Sequence, residues 1–324
     1  MKVLVVGGGI IGCATAYELA KAGCQVAVFE RATAGAEASS AAAGLLAPLG
    51  ESNDTNFARL ALASWRLYPG VVDELQRRTG IDVEYVTRGT IYPMSATQTR
   101  RDADAWALNK EFGVEVVEGA DVQALEPALS PKIRHAIFVK GDHWLNNQRL
   151  VLAYAQAAAA AGVELETGRN VSRLVVEGGR ARAVVTEGER FDGDAVLLAA
   201  GAWSGELMAG LGATVERAGF QRAVTAEGIA GLLRAAIELV PSLRELPIAR
   251  TWCGFRPWAP DSLPVLGPWP GVDGLFVATG HFRNGILLAP ITARLMTEWI
   301  TGGQPSLTMT DFLPERFGLR HQRG

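Results

Sequence analysis

The chain has 324 residues, of which 48% are hydrophobic, and its formal net charge is −3. These values predict about two globular domains with a large buried core, and they give no reason to expect nucleic acid or an anionic membrane as a partner. The three cysteines (Cys13, Cys24 and Cys253) lie far apart without CxxC spacing, which argues against a disulfide framework and against a metal site.

Neither a targeting segment nor a membrane helix is expected. The apolar run in the opening stretch MKVLVVGGG is too short for a signal peptide, and no small-residue cleavage site follows it. No segment has the roughly 18 apolar residues that a membrane span requires. We therefore expect a cytoplasmic protein with reduced cysteines.

The chain opens with a pattern that is typical of dinucleotide binding. A strand, a GxGxxG turn, a helix and a second strand that ends in an acid follow one another as Lys2–Val6, Gly7–Gly12, Ile10–Ala22, Cys24–Phe29 and Glu30. The glycines let the backbone approach a pyrophosphate, whose charge the helix N-terminus favours. The acid can accept hydrogen bonds from ribose hydroxyls. The alternative is a tight turn followed by a charged strand end.

Helical and strand patterns alternate after this unit. The small-residue run ASSAAAGLLAP (Ala38–Pro48) would let a flat ring or a phosphate approach the backbone, or it is a helix start capped by Ser39 or Ser40. Helices are predicted at Phe57–Thr79, with Leu60, Leu67, Val71 and Leu75 on one face, and at Ala96–Phe112 and Leu150–Ala161. Strands are predicted at Val83–Met94, Ile133–Lys140, Gly162–Glu166, Val171–Glu177 and Arg180–Thr186.

Two further strand–glycine–helix corners occur later in the chain. One lies in AVLLAAGAWS (Ala195–Ser204) and the other in GLFVATGHFRNGILLAP (Gly274–Pro290), with a predicted helix at Thr225–Leu239 and a predicted strand at Thr251–Trp258 between them. In an open parallel sheet all such corners lie along the carboxyl edge, where ligands bind. A cofactor as long as FAD could touch all three.

The predicted fold class is therefore α/β, or α+β overall. We expect a Rossmann-like FAD-binding domain with a smaller antiparallel-sheet substrate domain inserted into it. The FAD-binding domain is predicted to comprise residues 1–50, 140–212 and 262–324, and the substrate domain residues 51–139 and 213–261.

Several blocks resemble the amino-acid oxidase (DAO) family of FAD enzymes, and within it the glycine oxidases of thiamine biosynthesis. They are VVGGGIIGCATAYELA with Glu30, SSAAAGLLAPLGE, GDHWLNNQRL, AVLLAAGAWSGEL, GATVERAGF, GFRPWAPDSLPVLG and GHFRNGILLAP. These blocks run from one end of the chain to the other.

The resemblance implies that FAD is the cofactor. The residues it places along FAD are Gly7, Gly9, Ile10, Ile11, Gly12, Glu30, Arg31, Ser39, Ser40, Ala43, Gly44, Leu45, Val171, Ala200, Gly201, Trp203, His281, Asn284, Gly285 and Ile286. It also implies that Arg256 clamps the substrate carboxylate and that Arg283 lies at the substrate mouth. The alternatives are a surface arginine paired with an acid for Arg283 and a purely structural histidine for His281.

The implied reaction oxidises the C–N bond of glycine or another small amino acid or amine. Hydride passes to FAD, the imine hydrolyses to a 2-oxo acid and ammonia, and O2 as acceptor yields hydrogen peroxide. A guanidinium can grip the substrate carboxylate through two parallel hydrogen bonds, and this orientation lowers the barrier. A helix that begins near Gly285 would favour the negative charge of the reduced flavin.

The chain departs from the family at one junction. In the family several strands follow the block AWSGELMAGLG, cover the substrate and supply a tyrosine, whereas here Gly210–Gly212 runs directly into Ala213–Glu216 and no tyrosine follows Tyr154. A shortened sheet would leave an open edge, which a homo-oligomer could cover. The alternatives are a dehydrogenase with another electron acceptor, a catalytically impaired flavin-binding protein, and NAD binding without flavin.

Overall fold

A computed structural model describes residues 1–50, 55–209, 211 and 220–318. The strands are β1 (Lys2–Val6), β2 (Gln25–Glu30), β3 (Leu45–Leu46), β4 (Thr90–Pro93), β5 (Val114–Glu118), β6 (His135–Val139), β7 (His143–Trp144), β8 (Glu164–Thr167), β9 (Val171–Glu177), β10 (Arg180–Thr186), β11 (Glu189–Asp192), β12 (Ala195–Leu198), β13 (Val265–Pro268) and β14 (Leu275–Thr279). The helices are α1 (Ile10–Lys21), α2 (Ala38–Ala41), α3 (Thr55–Thr79), α4 (Ala96–Trp106), α5 (Asp121–Leu125), α6 (Asn147–Ala160), α7 (Ser204–Ala209), α8 (Ala226–Leu239) and α9 (Gly285–Ile300). Short 3-10 helices lie at Lys110–Phe112, Gly201–Trp203, Pro241–Glu245, Thr310–Phe312 and Pro314–Phe317.

The central sheet has six strands in the order β13-β14-β12-β1-β2-β8. All neighbouring pairs are parallel except β13 with β14, which is antiparallel. Successive side chains of a strand point to opposite faces of the sheet. In β1 the side chains of Val3 and Val5 pack on one face and those of Leu4 and Val6 on the other, and all four are buried.

The domain is built in three layers. Helices α1, α3, α6 and α9 cover one face of the central sheet and pack against one another there. The antiparallel sheet β11-β10-β9 covers the other face. Both faces of a largely parallel sheet are thus buried, as such sheets require. This arrangement confirms the predicted α/β class with its Rossmann-like sheet.

Two small sheets lie apart from the central sheet. Strands β4, β6 and β5 form an antiparallel sheet whose middle strand is β6, and β3 pairs with β7. Helix α8 contributes no buried residue. None of the described helices is both long and apolar enough to cross a membrane.

Two predicted strands differ from the structure, and strand β5 was missed. The strand predicted at Val83–Met94 is confined to β4, because positive φ angles at Glu84 (55°) and Gly89 (83°) interrupt the extended backbone. Thr251–Trp258 forms no strand, since no strand of the described sheets pairs with it. Strand β5 was not predicted, because its alternating valine and glutamate residues are largely exposed and give a weak apolar signal.

Two helical predictions also need correction. The helix predicted at Ala96–Phe112 ends at Trp106, and a separate 3-10 turn follows it. On α3 the fully buried face contains Leu60, Tyr68 and Leu75, whereas Leu67 and Val71 are only partly buried.

Candidate functional site

A cavity of about 490 Å³ follows the carboxyl edge of the central sheet. It joins all three strand–glycine–helix corners. The predicted residues that line it are Gly7, Gly9, Ile10, Ile11, Glu30, Arg31, Ser39, Val171, Ala200, Gly201, Trp203, His281, Arg283, Gly285 and Ile286. Residues far apart in the sequence therefore share one elongated site.

The glycine turn after β1 leaves no room for side chains. Gly7 has a φ of +108°, and a Cβ atom on it would lie 2.5 Å from the Ala199 carbonyl oxygen. A Cβ atom on Gly12 would lie 1.9 Å from the Gly7 carbonyl oxygen. The turn is thus packed between β12 and α1, with its backbone open to the cavity. Such a cradle at a helix N-terminus fits a pyrophosphate.

The carboxylate of Glu30 is fixed by backbone amides. One oxygen accepts a hydrogen bond from the Gly8 N–H at 2.8 Å and the other from the Ala32 N–H at 2.9 Å. Each carboxylate oxygen can accept a further hydrogen bond. Because Glu30 also lines the cavity, it can accept hydrogen bonds from the hydroxyls of a ribose.

Seven predicted residues lie outside the cavity lining, namely Gly12, Ser40, Ala43, Gly44, Leu45, Asn284 and Arg256. Gly44 has a φ of +75°, and a Cβ atom there would lie 1.9 Å from the Leu145 carbonyl oxygen. The hydroxyl of Ser40 donates to the Gly35 carbonyl at 2.6 Å. These contacts give both residues a packing role beside the cavity.

The candidate carboxylate clamp lies beside the third corner. The exposed Arg256 guanidinium carbon is 5.7 Å from the centre of the Phe282 ring. Its neighbours Phe255 and Pro257 line the cavity. Phe282 has a φ of +49°, and its N–H donates to the Pro257 carbonyl at 2.7 Å. This bond ties the Arg256 segment to the corner that carries Arg283.

His281 is held as a neutral group. It is 3% exposed, and its Nε2 atom lies 3.1 Å from the Thr292 hydroxyl oxygen. Burial lowers its pKa from the usual 6.5 to about 3. A neutral imidazole with a hydroxyl partner supplies no positive charge to the cavity, which favours the structural interpretation of this residue.

The buried imidazole makes the fold sensitive to acid. Below pH 6.5 the unfolded chain protonates His281 while the folded chain does not, so stability falls as the pH decreases from 6.5 towards about 3. Between pH 6.5 and pH 5 this group alone removes about 2 kcal/mol of the free energy of unfolding. We expect His281→Gln to be less stable at neutral pH but to lose less stability on acidification.

Urea denaturation at pH 7 and pH 5 measures this difference. His135→Gln, which removes a partly exposed histidine beside Glu118, is the matched control. Equal acid sensitivity of the wild-type and His281→Gln proteins would contradict the assignment of this sensitivity to the buried imidazole of His281.

Sequence reasoning missed several residues of the site. Phe255, Phe282 and Arg169 line the cavity, and Arg169 lies within 4 Å of the carboxylates of Glu166, Glu187 and Glu189. The buried Tyr68 hydroxyl donates to the Ile286 carbonyl and so positions the first turn of α9 from α3. The pattern of α3 contained a signal, since Tyr68 places a polar tip on a buried face.

Known proteins resemble this chain over almost its whole length. Residues 2–217 and 209–299 match the family described as DAO, FAD dependent oxidoreductase. Glycine oxidase of Pseudomonas putida is 32% identical over 361 residues, covering 97% of this chain and 98% of the relative. A bifunctional protein ThiO/ThiG of Trichormus variabilis is 32% identical over 359 residues, covering 97% of this chain and 55% of the relative.

A solved structure shows the same architecture. Glycine oxidase from Geobacillus kaustophilus is 32% identical and matches with a TM-score of 0.90, covering 96% of this chain and 97% of that one. Together with the family match, this confirms the resemblance that the sequence blocks indicated. The chain belongs to the DAO family of FAD-dependent oxidoreductases.

Proposed function

We propose that this protein binds FAD and oxidises the C–N bond of glycine or another small amino acid or amine. The observation that carries the proposal is the single elongated cavity that joins the glycine turn, Glu30 and the corner at His281–Ile286. The glycine oxidases among the relatives support the substrate class, and the ThiO/ThiG relative supports a role in thiamine biosynthesis.

Different residues of the cavity would contact different parts of FAD. The Gly7–Ile11 backbone would hold the pyrophosphate, Glu30 the adenosine ribose and Val171 the adenine end. Gly285 and Ile286 would meet the flavin with the N-terminal amides of α9. When bound, FAD supplies the acceptor for the hydride of the substrate, and its reoxidation by O2 yields hydrogen peroxide.

The substrate would be oriented by arginine. Arg256 offers a planar fork for the carboxylate, and its contact with the Phe282 ring holds the guanidinium near the flavin end of the cavity. Arg283 lines the cavity beside it. Fixing the amino acid in this way places its α carbon for hydride loss, and the resulting imine hydrolyses in water to a 2-oxo acid and ammonia.

The substrate domain is proposed to be shorter than in the relatives. The antiparallel sheet β4-β6-β5 falls within residues 51–139, which we assign with 213–261 to the substrate domain. The alignment with the Pseudomonas putida enzyme runs over 361 residues, at least 37 more than this chain has. The two segments that match the family overlap at residues 209–217, and the predicted junction falls within this overlap. Both observations support a smaller set of strands covering the substrate.

An anaerobic absorbance spectrum tests the proposal. We expect flavin bands in the purified protein and bleaching of those bands on addition of glycine, sarcosine or D-alanine. Flavin bands that persist with all three amines would contradict the proposed substrate class. Oxygen consumption compared with dye reduction then distinguishes O2 from another electron acceptor.

A further inference from the structure

A contact between two loops crosses the glycine turn. In the central sheet β1 lies between β12 and β2. Arg31 directly follows β2, Trp203 follows β12, and the guanidinium carbon of Arg31 lies 3.6 Å from the centre of the Trp203 ring. Because both residues line the same cavity at the carboxyl edge, their contact must pass over the end of β1, where Gly7 and Gly9 lie.

An aromatic residue from the second half of the chain extends this stack. The Phe220 ring lies parallel to the Trp203 ring, with centroids 5.1 Å apart and planes at 16°. Phe255 packs edge-on against both rings, at 5.9 Å from Trp203 and 5.5 Å from Phe220. The crossing is therefore made by three segments that are distant in the sequence.

The cluster beside the stack carries an excess of positive charge. Glu37 accepts hydrogen bonds from Arg31 at 2.6 Å and from Arg222 at 3.2 Å. Two guanidinium groups thus share one carboxylate, which leaves one positive charge on the group. A pyrophosphate held at the glycine turn would carry two negative charges, and guanidinium groups bind such oxygens well.

We propose that Arg31, Trp203 and Phe220 form a bar across the FAD crevice, which opens to admit FAD and closes over its pyrophosphate. This inference rests on the proposed cofactor. The bar can open without disturbing the core, because Phe220 is 42% exposed and the Arg31 side chain is 34% exposed.

The rate of FAD release tests the bar. Holoprotein is mixed with excess charcoal, which removes FAD as it is released, and the flavin absorbance that remains with the protein is followed over time after the charcoal has been spun down. We expect Trp203→Ala and Phe220→Ala each to release FAD at least about tenfold faster than wild type. The double variant should add little to either single change, because both remove the same closure. Trp203→Phe keeps a stacking ring and should remain near wild type.

The control is an arginine–aromatic stack away from the site. Arg316 lies 4.3 Å from the centre of the Phe317 ring, and Phe317→Ala should leave the release rate unchanged. Release within about twofold of wild type in both bar variants would overturn the inference, and so would equal acceleration by Phe317→Ala. If no amino acid reduces the flavin of the wild-type protein, the proposed substrate class is wrong. That result leaves the inference about the bar intact, because FAD release is measured without substrate.

Discussion

Gly12→Ala is expected to give a protein without bound FAD and with a clearly lower stability. The added Cβ atom would lie 1.9 Å from the Gly7 carbonyl oxygen, which is a backbone atom that no side-chain rotation can move. Either α1 or the glycine turn must shift, and the turn is the part that would meet the pyrophosphate. We expect a loss of about 3 kcal/mol in the free energy of unfolding.

Flavin absorbance per protein and a urea denaturation curve measure the two effects. Gly70→Ala is the matched control, because Gly70 also lies within a helix but a Cβ atom there has no neighbour within 4 Å. Alanine is the better helix former, so this control should keep its flavin and gain up to about 1 kcal/mol. A Gly12→Ala protein with full flavin content would show that the turn does not hold the cofactor.

The nucleotide-binding half of the fold could be predicted from the sequence because its signals are local. A buried strand, a glycine turn and a helix are adjacent in the chain at Val6–Ile10, and the same order recurs at Leu198–Ser204 and Thr279–Gly285. Parallel strands bring such turns to one edge of the sheet, so the sequence alone predicts that the three corners lie side by side. The observed cavity lining follows from this rule.

The contacts that close the site could not be predicted, because they depend on tertiary packing. The stack of Arg31 on Trp203 joins residues that no spacing rule connects. The strand predicted at Thr251–Trp258 was wrong because an apolar, aromatic-rich run forms a strand only where a partner strand lies beside it. In the structure this segment instead runs beside α2, where the Trp252 indole N–H donates to the Ala41 carbonyl at 3.4 Å.

Arg256→Met is expected to raise the Michaelis constant for a carboxylate substrate about a hundredfold and to leave FAD binding unchanged. Methionine keeps the length of the side chain but removes both the charge and the paired N–H donors. Loss of two charge-assisted hydrogen bonds costs about 3 kcal/mol of substrate binding. Arg256→Lys keeps the charge without the planar fork, so its Michaelis constant should lie between those of the wild type and Arg256→Met.

Steady-state kinetics with the best substrate, together with a flavin titration, measures both expectations. Arg250→Met is the matched control, because the exposed Arg250 also lies over an aromatic ring, 5.9 Å from the centre of Trp252. Its chain neighbours do not line the cavity, whereas Phe255 and Pro257 beside Arg256 do. A Michaelis constant that rises equally in both variants would indicate a general effect of lost positive charge. An unchanged constant in Arg256→Met would assign the clamp to another residue, and Arg283, which lines the cavity at the third corner, is the arginine to replace next.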